Sequence, residues 1–129
     1  MRFTDGWYTY EGDQSGWRRW SGRRGEIELN FAEAEDVILS GSFATVVAGN
    51  KVRIALNGTP VGQAVLNERN QPIPMPELKL RMQKGRNLLT FDGSDHGFAR
   101  DDPRELSFSV SNLTIRKAAD GQEVCYLVE

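Results

Sequence analysis

The sequence contains one cysteine and one histidine, Cys125 and His96. A single cysteine excludes a disulfide within the chain, and it excludes zinc sites built from several thiolates. Because Cys125 stands in an apolar run at residues 124–128, we interpret it as a small buried hydrophobic side chain. A lone histidine with carboxylates is also a poor zinc site. The sequence therefore offers no convincing zinc centre.

Long hydrophobic runs and a strong excess of one charge are also missing. No segment has the roughly 20 apolar residues that span a bilayer. The first residues lack the apolar run of a signal peptide, so we expect either a protein that stays inside the cell or a module of a longer exported one. The formal net charge is −2 and the pI is about 5.5. No overall field attracts this chain to nucleic acid or anionic lipid, and a nucleic-acid role would need a local basic patch.

The sequence also lacks the short motifs that mark common enzymes. It has no Gly-x-Ser-x-Gly elbow, no phosphate-binding loop and no dinucleotide fingerprint. Glycoside hydrolysis would need two carboxyl groups across a cleft, and Glu77, Glu105 and the aspartates of residues 92–102 show no spacing that singles out a pair. We therefore predict that the chain is not an enzyme.

Alternation of apolar and polar residues with a period of two is the dominant pattern in this chain of 129 residues. Ile27, Leu29 and Phe31 stand on one face of the first clear run, with Glu28 and Asn30 on the other. Similar runs occupy residues 37–43, 52–56, 78–82, 106–115 and 123–128. The only helix-like stretch, residues 31–36, is too short for a stable helix and is interpreted as a turn. The pattern predicts about eight to ten short strands and no helix.

Turn signals separate these runs. Asn57-Gly58 predicts a β-hairpin over residues 51–66, because both residues tolerate positive φ. The prolines at 72, 74 and 76 predict an edge strand or a loop, since proline donates no backbone hydrogen bond. A chain of this length forms one domain. We predict that residues 1–129 form a single all-β domain, a two-sheet antiparallel jelly-roll sandwich, with a barrel as the second choice.

Three segments together resemble the galactose-binding-like jelly rolls. They are the hairpin at residues 52–61, the start of a strand at residues 84–89 with its Gly85-Arg86-Asn87 turn, and the terminal β-run. This family includes many carbohydrate-binding modules and the accessory sandwich domains of glycosidases. The resemblance implies a jelly-roll fold and sugar binding. Its Asn-Gly and Gly-x-Asn turns are structural features, so no binding residue is carried over to this chain.

A second resemblance involves Gly6-Trp7-Tyr8, the Arg-Trp-Ser-Gly stretch at residues 19–22 and residues 102–106. These segments are similar to β-sandwich regions found beside bacterial surface-polysaccharide glycosyltransferases. This resemblance also implies a carbohydrate context, and like the first it supports the fold more than the function.

All three tryptophans and two of the three tyrosines lie within the first 20 residues. If residues 17–21 are extended, Trp17 and Trp20 face opposite sides, because successive side chains alternate along a strand. By the same rule Tyr8 and Tyr10 share a face, opposite Trp7. In the structural interpretation Trp7 and Trp20 anchor the core, and the tyrosines close the rim of the sandwich.

In the functional interpretation, three of these rings form a sugar site. Trp17, Tyr8 and Tyr10 stack on the apolar face of a pyranose, and Arg18 and Arg19 hydrogen-bond its hydroxyls or a uronate. Aromatic rings beside arginines also suit single-stranded nucleic acid. The acidic balance of the whole chain makes a nucleic-acid partner the less favoured choice.

The segment at residues 92–103 concentrates acidic side chains and the only histidine. Calcium takes carboxylates and backbone carbonyls in flexible loops, and jelly-roll modules often hold a structural calcium. The spacing does not match an EF-hand, and an Asx-type turn with a local ion pair explains the aspartates equally well. No other cofactor is expected. The candidate calcium ligands are Asp92, Asp95, Asp101 and Asp102.

The sequence thus predicts a non-catalytic carbohydrate-binding module, or an accessory module of a carbohydrate enzyme, that binds an oligo- or polysaccharide by aromatic stacking. The alternative is a protein-interaction or packing β-sandwich domain, in which the same rings are anchors against a partner chain. The sequence indicates no membrane association and does not identify the compartment.

Overall fold

The computed structural model describes residues 2–13, 16–98 and 103–126, without the side chains of residues 9–13, 16–17 and 124–126. The described residues form twelve strands: β1 (Arg2–Phe3), β2 (Trp7–Asp13), β3 (Gly16–Ser21), β4 (Arg24–Phe31), β5 (Glu35–Thr45), β6 (Asn50–Leu56), β7 (Thr59–Leu66), β8 (Ile73–Pro74), β9 (Leu78–Met82), β10 (Gly85–Gly93), β11 (Phe108–Lys117) and β12 (Glu123–Tyr126). None of these residues lies in a helix that is long and apolar enough to cross a membrane.

The strands form two antiparallel sheets. The five-stranded sheet has the order β1-β4-β10-β6-β7. The seven-stranded sheet runs β2-β3-β11-β5-β8, and β12 also pairs with β11 while β9 also pairs with β5. The long strands β5 and β11 pair with each other in the middle of this sheet. The prediction of an all-β, two-sheet antiparallel sandwich is confirmed.

The main core lies between the sheets. Alternation in β4, β6 and β10 turns Ile27, Ile54 and Phe91 inward, and all three side chains are fully buried. Phe43 of β5 meets Phe91 edge to face at 6.0 Å between ring centroids, and it meets Phe108 of β11 in the same way at 5.9 Å. Such aromatic pairs add about 0.5–1.5 kcal/mol each beyond the burial of their surface. This cluster joins the two sheets.

Trp7 and Trp20 are both packing residues, in different clusters. Trp7 packs against the main core, and its Nε1 donates to the Glu26 carbonyl at 2.8 Å. Trp20 is only 8% exposed and packs with Val46 and Leu106 in a second, smaller cluster. The interpretation of both tryptophans as core anchors is confirmed.

The connections follow the turn chemistry of the sequence. Asn57 and Gly58 take positive φ values of 50° and 85° between β6 and β7, so the hairpin predicted over residues 51–66 is confirmed. The proline-rich segment contributes β8, a two-residue strand at the edge of its sheet. Residues 32–34 connect β4 to β5 without forming a helix.

Candidate functional site

A groove of about 780 Å³ lies on the outer face of the five-stranded sheet. We call it the basic groove, because its lining contains four cations and one carboxylate. The lining residues are Arg23, Arg24, Lys51, Arg53, Ile54, Ala55, Gly58, Pro60, Gly62, Gln63, Thr90, Asp92, Gly93 and Ser94. They come from β4, β6, β7, β10 and the segments beside them.

Strand register places the polar side chains of the basic groove in one row. Asp92 of β10 is opposite Arg24 of β4 on one side and Arg53 of β6 on the other. Arg53 is in turn opposite Gln63 of β7. These residues alternate with buried inward neighbours, so their side chains face outward. With strands about 4.8 Å apart, the row spans about 14 Å across four strands.

Small residues make the floor of the groove. The next row across the sheet is Thr90, Ala55 and Pro60, which are cross-strand neighbours in β10, β6 and β7. Gly62 also lines the groove, but it lies opposite the buried Ile54, and a Cβ added there would point inward and lie 2.8 Å from the Leu78 side chain. Longer side chains at positions 90, 55 and 60 would fill the concavity. The groove therefore exists because small residues follow the polar row.

Only one of the four cations has a carboxylate partner among the described residues. Arg24 lies 3.4 Å from Asp92 and 3.6 Å from Glu26. Arg23, Lys51 and Arg53 have no carboxylate oxygen within 4.0 Å in the described part of the chain. Four cations and one carboxylate leave the lining with an excess of three positive charges, although the whole chain carries a net charge of −2.

Ser94 fixes the end of the groove where two of these cations lie. Its hydroxyl accepts a hydrogen bond from the Lys51 backbone N–H at 2.9 Å, and its own N–H donates to the Lys51 carbonyl at 2.9 Å. The Ser94 carbonyl accepts from Nη2 of Arg23 at 3.4 Å. Arg23 and Lys51 are therefore held at the same rim of the groove.

Further along the same outer face, two arginines share one carboxylate. Glu28 of β4 binds Arg2 at 2.5 Å and Arg86 at 3.2 Å. The hydrogen bond from Arg2, together with the charges of Arg2 and Arg86, lowers the pKa of Glu28 below its ordinary value. Unlike Arg23, Lys51 and Arg53 of the basic groove, Arg2 and Arg86 both have a carboxylate partner.

Tyr8, the first of the predicted sugar-binding residues, makes structural contacts. Its ring packs against the Trp20 cluster, and its hydroxyl donates to the Glu105 carbonyl at 2.9 Å. The Arg104 guanidinium lies 5.2 Å from the centroid of the ring, a distance typical of a cation–π contact. These contacts tie β2 to the segment before β11.

Arg18 and Arg19 are not brought together. They are neighbours in β3, so their side chains leave opposite faces of the strand. Arg18 is exposed. Arg19 is half-buried, donates from Nε to the Tyr8 carbonyl at 2.7 Å and lies over the Phe3 ring at 4.7 Å. Of the two, Arg18 is the one whose side chain is exposed to solvent.

The side chains of Tyr10 and Trp17 lie outside the described residues. Their strands are described, and the register of β2 with β3 shifts between Trp7, opposite Ser21, and Tyr10, opposite Arg19. An advance of three residues along β2, from Trp7 to Tyr10, therefore faces an advance of two residues along β3, from Ser21 to Arg19, as in a β-bulge. The shift interrupts regular alternation within residues 7–10, and the prediction that Tyr8 and Tyr10 share a face stays a prediction.

The four candidate calcium ligands are not gathered by the described residues. Asp92 pairs with Arg24 in the basic groove, whereas Oδ1 of Asp95 accepts from the His96 backbone N–H at 2.8 Å. Asp101 and Asp102 lie outside the described residues. Among the residues that are described, no group of three His, Cys, Asp or Glu side chains could hold a metal ion. Calcium binding by this segment stays a prediction.

The site residues predicted from the sequence do not include the four cations of the basic groove, Arg23, Arg24, Lys51 and Arg53. One pattern in the sequence could have indicated this site. Along β6, the outward positions carry the cations Lys51 and Arg53 and then the small residue Ala55. Their convergence depends on the order β4-β10-β6-β7, which brings together residues up to 71 positions apart in the chain, as for Arg23 and Ser94.

Comparisons with known proteins support the fold. No protein-family profile matches the sequence, and no curated protein does. Among solved structures, the C-terminal CBM6 of the marine laminarinase LamC from Zobellia galactanivorans is 12% identical with a TM-score of 0.55, and the match covers 91% of this chain and 92% of that one. The C-terminal domain of EclA, a sugar-binding protein, is 14% identical with a TM-score of 0.56 over 84% of this chain and 83% of that one.

A third similar structure is a ruminal GH26 endo-β-1,4-mannanase, at 14% identity and a TM-score of 0.51. The match covers 86% of this chain, which spans 21% of the length of that enzyme. At such identities the likeness concerns the fold alone. The resemblance to β-sandwiches of the carbohydrate-binding-module type is thereby confirmed at the level of the fold.

Proposed function

We propose that this chain is a non-catalytic carbohydrate-binding module, or an accessory module of a carbohydrate enzyme, and that glycan binds in the basic groove. The observation that carries the proposal is the groove itself, with its volume of about 780 Å³ and polar lining. Ligand sites commonly have volumes of about 300–1,000 Å³. The lining comes from four neighbouring strands, and a surface that extends across several strands suits a chain-like ligand such as a polysaccharide.

The lining has the hydrogen-bonding groups that sugar hydroxyls need. Arg53 and Lys51 donate, the Asp92 carboxylate accepts, and the Gln63 amide does both. A hydroxyl group both donates and accepts, so a sugar ring can pair with each type. Because the groove lies on the outer face of a sheet and its polar groups exchange water for sugar hydroxyls, we expect weak affinity for each sugar and stronger binding for longer chains.

Aromatic stacking at β2 and β3 is a second way in which the same function can be performed. In that version Trp17, Tyr8 and Tyr10 stack on the sugar, and Arg18 and Arg19 orient it. Tyr8 and Arg19 already make structural contacts. This version therefore depends chiefly on Trp17 and on the exposed Arg18.

The experiment that tests the proposal is a titration of soluble neutral and acidic polysaccharides, followed by calorimetry. Two variants separate the surfaces. Ala55→Ile fills the floor of the groove with a residue that strands favour, and Trp17→Ala removes the predicted stacking ring. Thermal melts of both variants confirm folding before binding is compared.

We expect Ala55→Ile to weaken glycan binding at least tenfold, because the isoleucine side chain occupies the floor on which the sugar would lie. We expect Trp17→Ala to leave glycan binding unchanged. The reverse result would move the site to β2 and β3. If the unsubstituted chain binds no polysaccharide, carbohydrate binding is wrong and the protein-interaction alternative is favoured. Release of reducing sugar during the titration would contradict the non-catalytic part of the proposal.

A further inference from the structure

The basic groove concentrates positive charge in a chain that is acidic overall. Arg23, Lys51 and Arg53 have no carboxylate within 4.0 Å among the described residues, and the chain as a whole carries a net charge of −2. We propose that the groove selects anionic glycans, whose sugars carry carboxylate or sulfate groups. This inference rests on the proposed function, since it names the class of glycan that binds in the same groove.

The positive charge of the groove favours an anionic ligand. A neutral glycan would leave Arg23, Lys51 and Arg53 without an anionic partner among the described residues, and it would displace part of the water that solvates them. An anionic group would gain charge-assisted hydrogen bonds, which are about twice as strong as neutral ones. The guanidinium groups of Arg23 and Arg53 also present paired N–H donors that match the two oxygens of a carboxylate or a sulfate.

The cations of the basic groove lie at one of its ends. Ser94 holds Arg23 and Lys51 at one rim, and Arg53 is two residues further along β6 on the same face, about 7 Å from Lys51. The other end of the groove has Gly58, Pro60 and other small uncharged residues. The lining is therefore cationic at one end only. A sugar with its anionic group at the cationic end would lie with its ring over the floor.

The lining of the groove suits a glycan better than a nucleic acid. None of the described residues that line the groove is aromatic, so bases would have no ring to stack on. Asp92 stands in the middle of the polar row, where its carboxylate accepts hydrogen bonds from hydroxyl groups and repels any anionic group, so a ligand must place a hydroxyl there and its anionic group elsewhere. A chain with both hydroxyls and spaced anionic groups matches this row better than a phosphodiester does.

The test uses pairs of polysaccharides that share a backbone and differ in charge. Polygalacturonate is compared with its fully methyl-esterified form, and a sulfated galactan with the unsulfated polymer, by calorimetry at low and high salt. We expect the charged member of at least one pair to bind about tenfold more tightly at low salt, and most of that preference to disappear at high salt. The two pairs distinguish carboxylate from sulfate.

Charge variants then locate the effect. Arg53→Gln and Lys51→Gln are each expected to weaken binding of the charged polymer about three- to tenfold. They should weaken binding of the neutral polymer less, by at most about twofold, because the glutamine amide still donates a hydrogen bond to a hydroxyl. Arg53→Lys keeps the charge and restores part of the binding. Arg69→Gln is the matched control, because Arg69 is exposed and lies outside the groove lining. All four variants change exposed or partly exposed side chains, and thermal melts check that they fold.

Equal binding of charged and neutral polymers would overturn the anionic selectivity and leave the proposed function in place. Binding of no polymer at all would overturn both. Tighter binding of single-stranded DNA than of any polysaccharide would overturn the assignment to glycans. A preference for charged polymers that survives both glutamine substitutions would show that the selectivity lies elsewhere, and would also contradict the inference.

Discussion

Replacing Asn50 by alanine should lower the stability of this domain more than any exposed substitution. Asn50 is fully buried at the start of β6. Its Nδ2 donates to the Ser107 carbonyl at 3.0 Å and lies 3.1 Å from the Ser107 hydroxyl, while its Oδ1 accepts from the Asp95 backbone N–H at 3.1 Å. One side chain thus ties β6 to both ends of the segment between β10 and β11.

The magnitude follows from what each partner loses. The Ser107 carbonyl keeps a second hydrogen bond, from Oγ1 of Thr45 at 3.1 Å, whereas the Asp95 N–H loses its acceptor. Two lost hydrogen bonds of about 1 kcal/mol each, and about 1 kcal/mol for the stranded N–H, give about 3 kcal/mol. For a domain of this size that corresponds to a melting temperature lower by about 12 °C.

Urea unfolding followed by tryptophan fluorescence measures this difference, and thermal melts give the shift in midpoint. Asn30→Ala is the control, because Asn30 is an exposed asparagine of β4 whose loss should change the free energy of unfolding by no more than about 0.5 kcal/mol. If Asn50→Ala unfolds within about 0.5 kcal/mol of the parent, the hydrogen bonds described here do not stabilise the fold, and the reasoning is refuted.

Three further substitutions test other contacts. Glu28→Gln should lower the free energy of unfolding at neutral pH, because the hydrogen bond from Arg2 stabilises the charged carboxylate and lowers the pKa of Glu28 in the folded state. The difference between parent and variant should shrink as the pH falls below the ordinary glutamate value of 4.5 and Glu28 becomes protonated. A difference that stays constant with pH would contradict this. Gly25→Ala would place a Cβ 2.5 Å from the Trp7 ring and should cost about 1–3 kcal/mol in urea unfolding, whereas an unchanged midpoint would mean that the indole shifts freely. Tyr8→Phe should cost about 1 kcal/mol through its lost hydrogen bond and leave glycan affinity unchanged in calorimetry; a loss of affinity would return Tyr8 to the binding site.

Most of the fold follows from local patterns in the sequence. The alternation of Ile27, Leu29 and Phe31 predicts an inward face because a strand buries every second residue, and these residues do form the inward side of β4. Asn57-Gly58 predicts the hairpin because its two residues tolerate the positive φ that the turn requires. Such features are decided by neighbouring residues, so a single sequence contains them.

The candidate site depends on features that local patterns do not contain. The register shift between Trp7 and Tyr10 inserts one residue into β2, and nothing in the residue types of that segment marks it. The basic groove needs Arg24, Asp92 and Arg53 in one row, and that row exists only because β10 lies between β4 and β6. Sheet order is determined by the packing of the whole chain, and it cannot be obtained from spacing along the sequence.

The separation of inward and outward positions along β6 has a practical consequence for protein engineering. Val52 and Ile54 are fully buried and restrict the strand to hydrophobic side chains of similar size, whereas Lys51, Arg53 and Ala55 face the groove. Randomising only the three groove positions would give a library in which most members still fold and differ in the ligand they prefer. A natural lineage with this fold could change its recognition in the same way, since drift on one face of the strand leaves the other face intact.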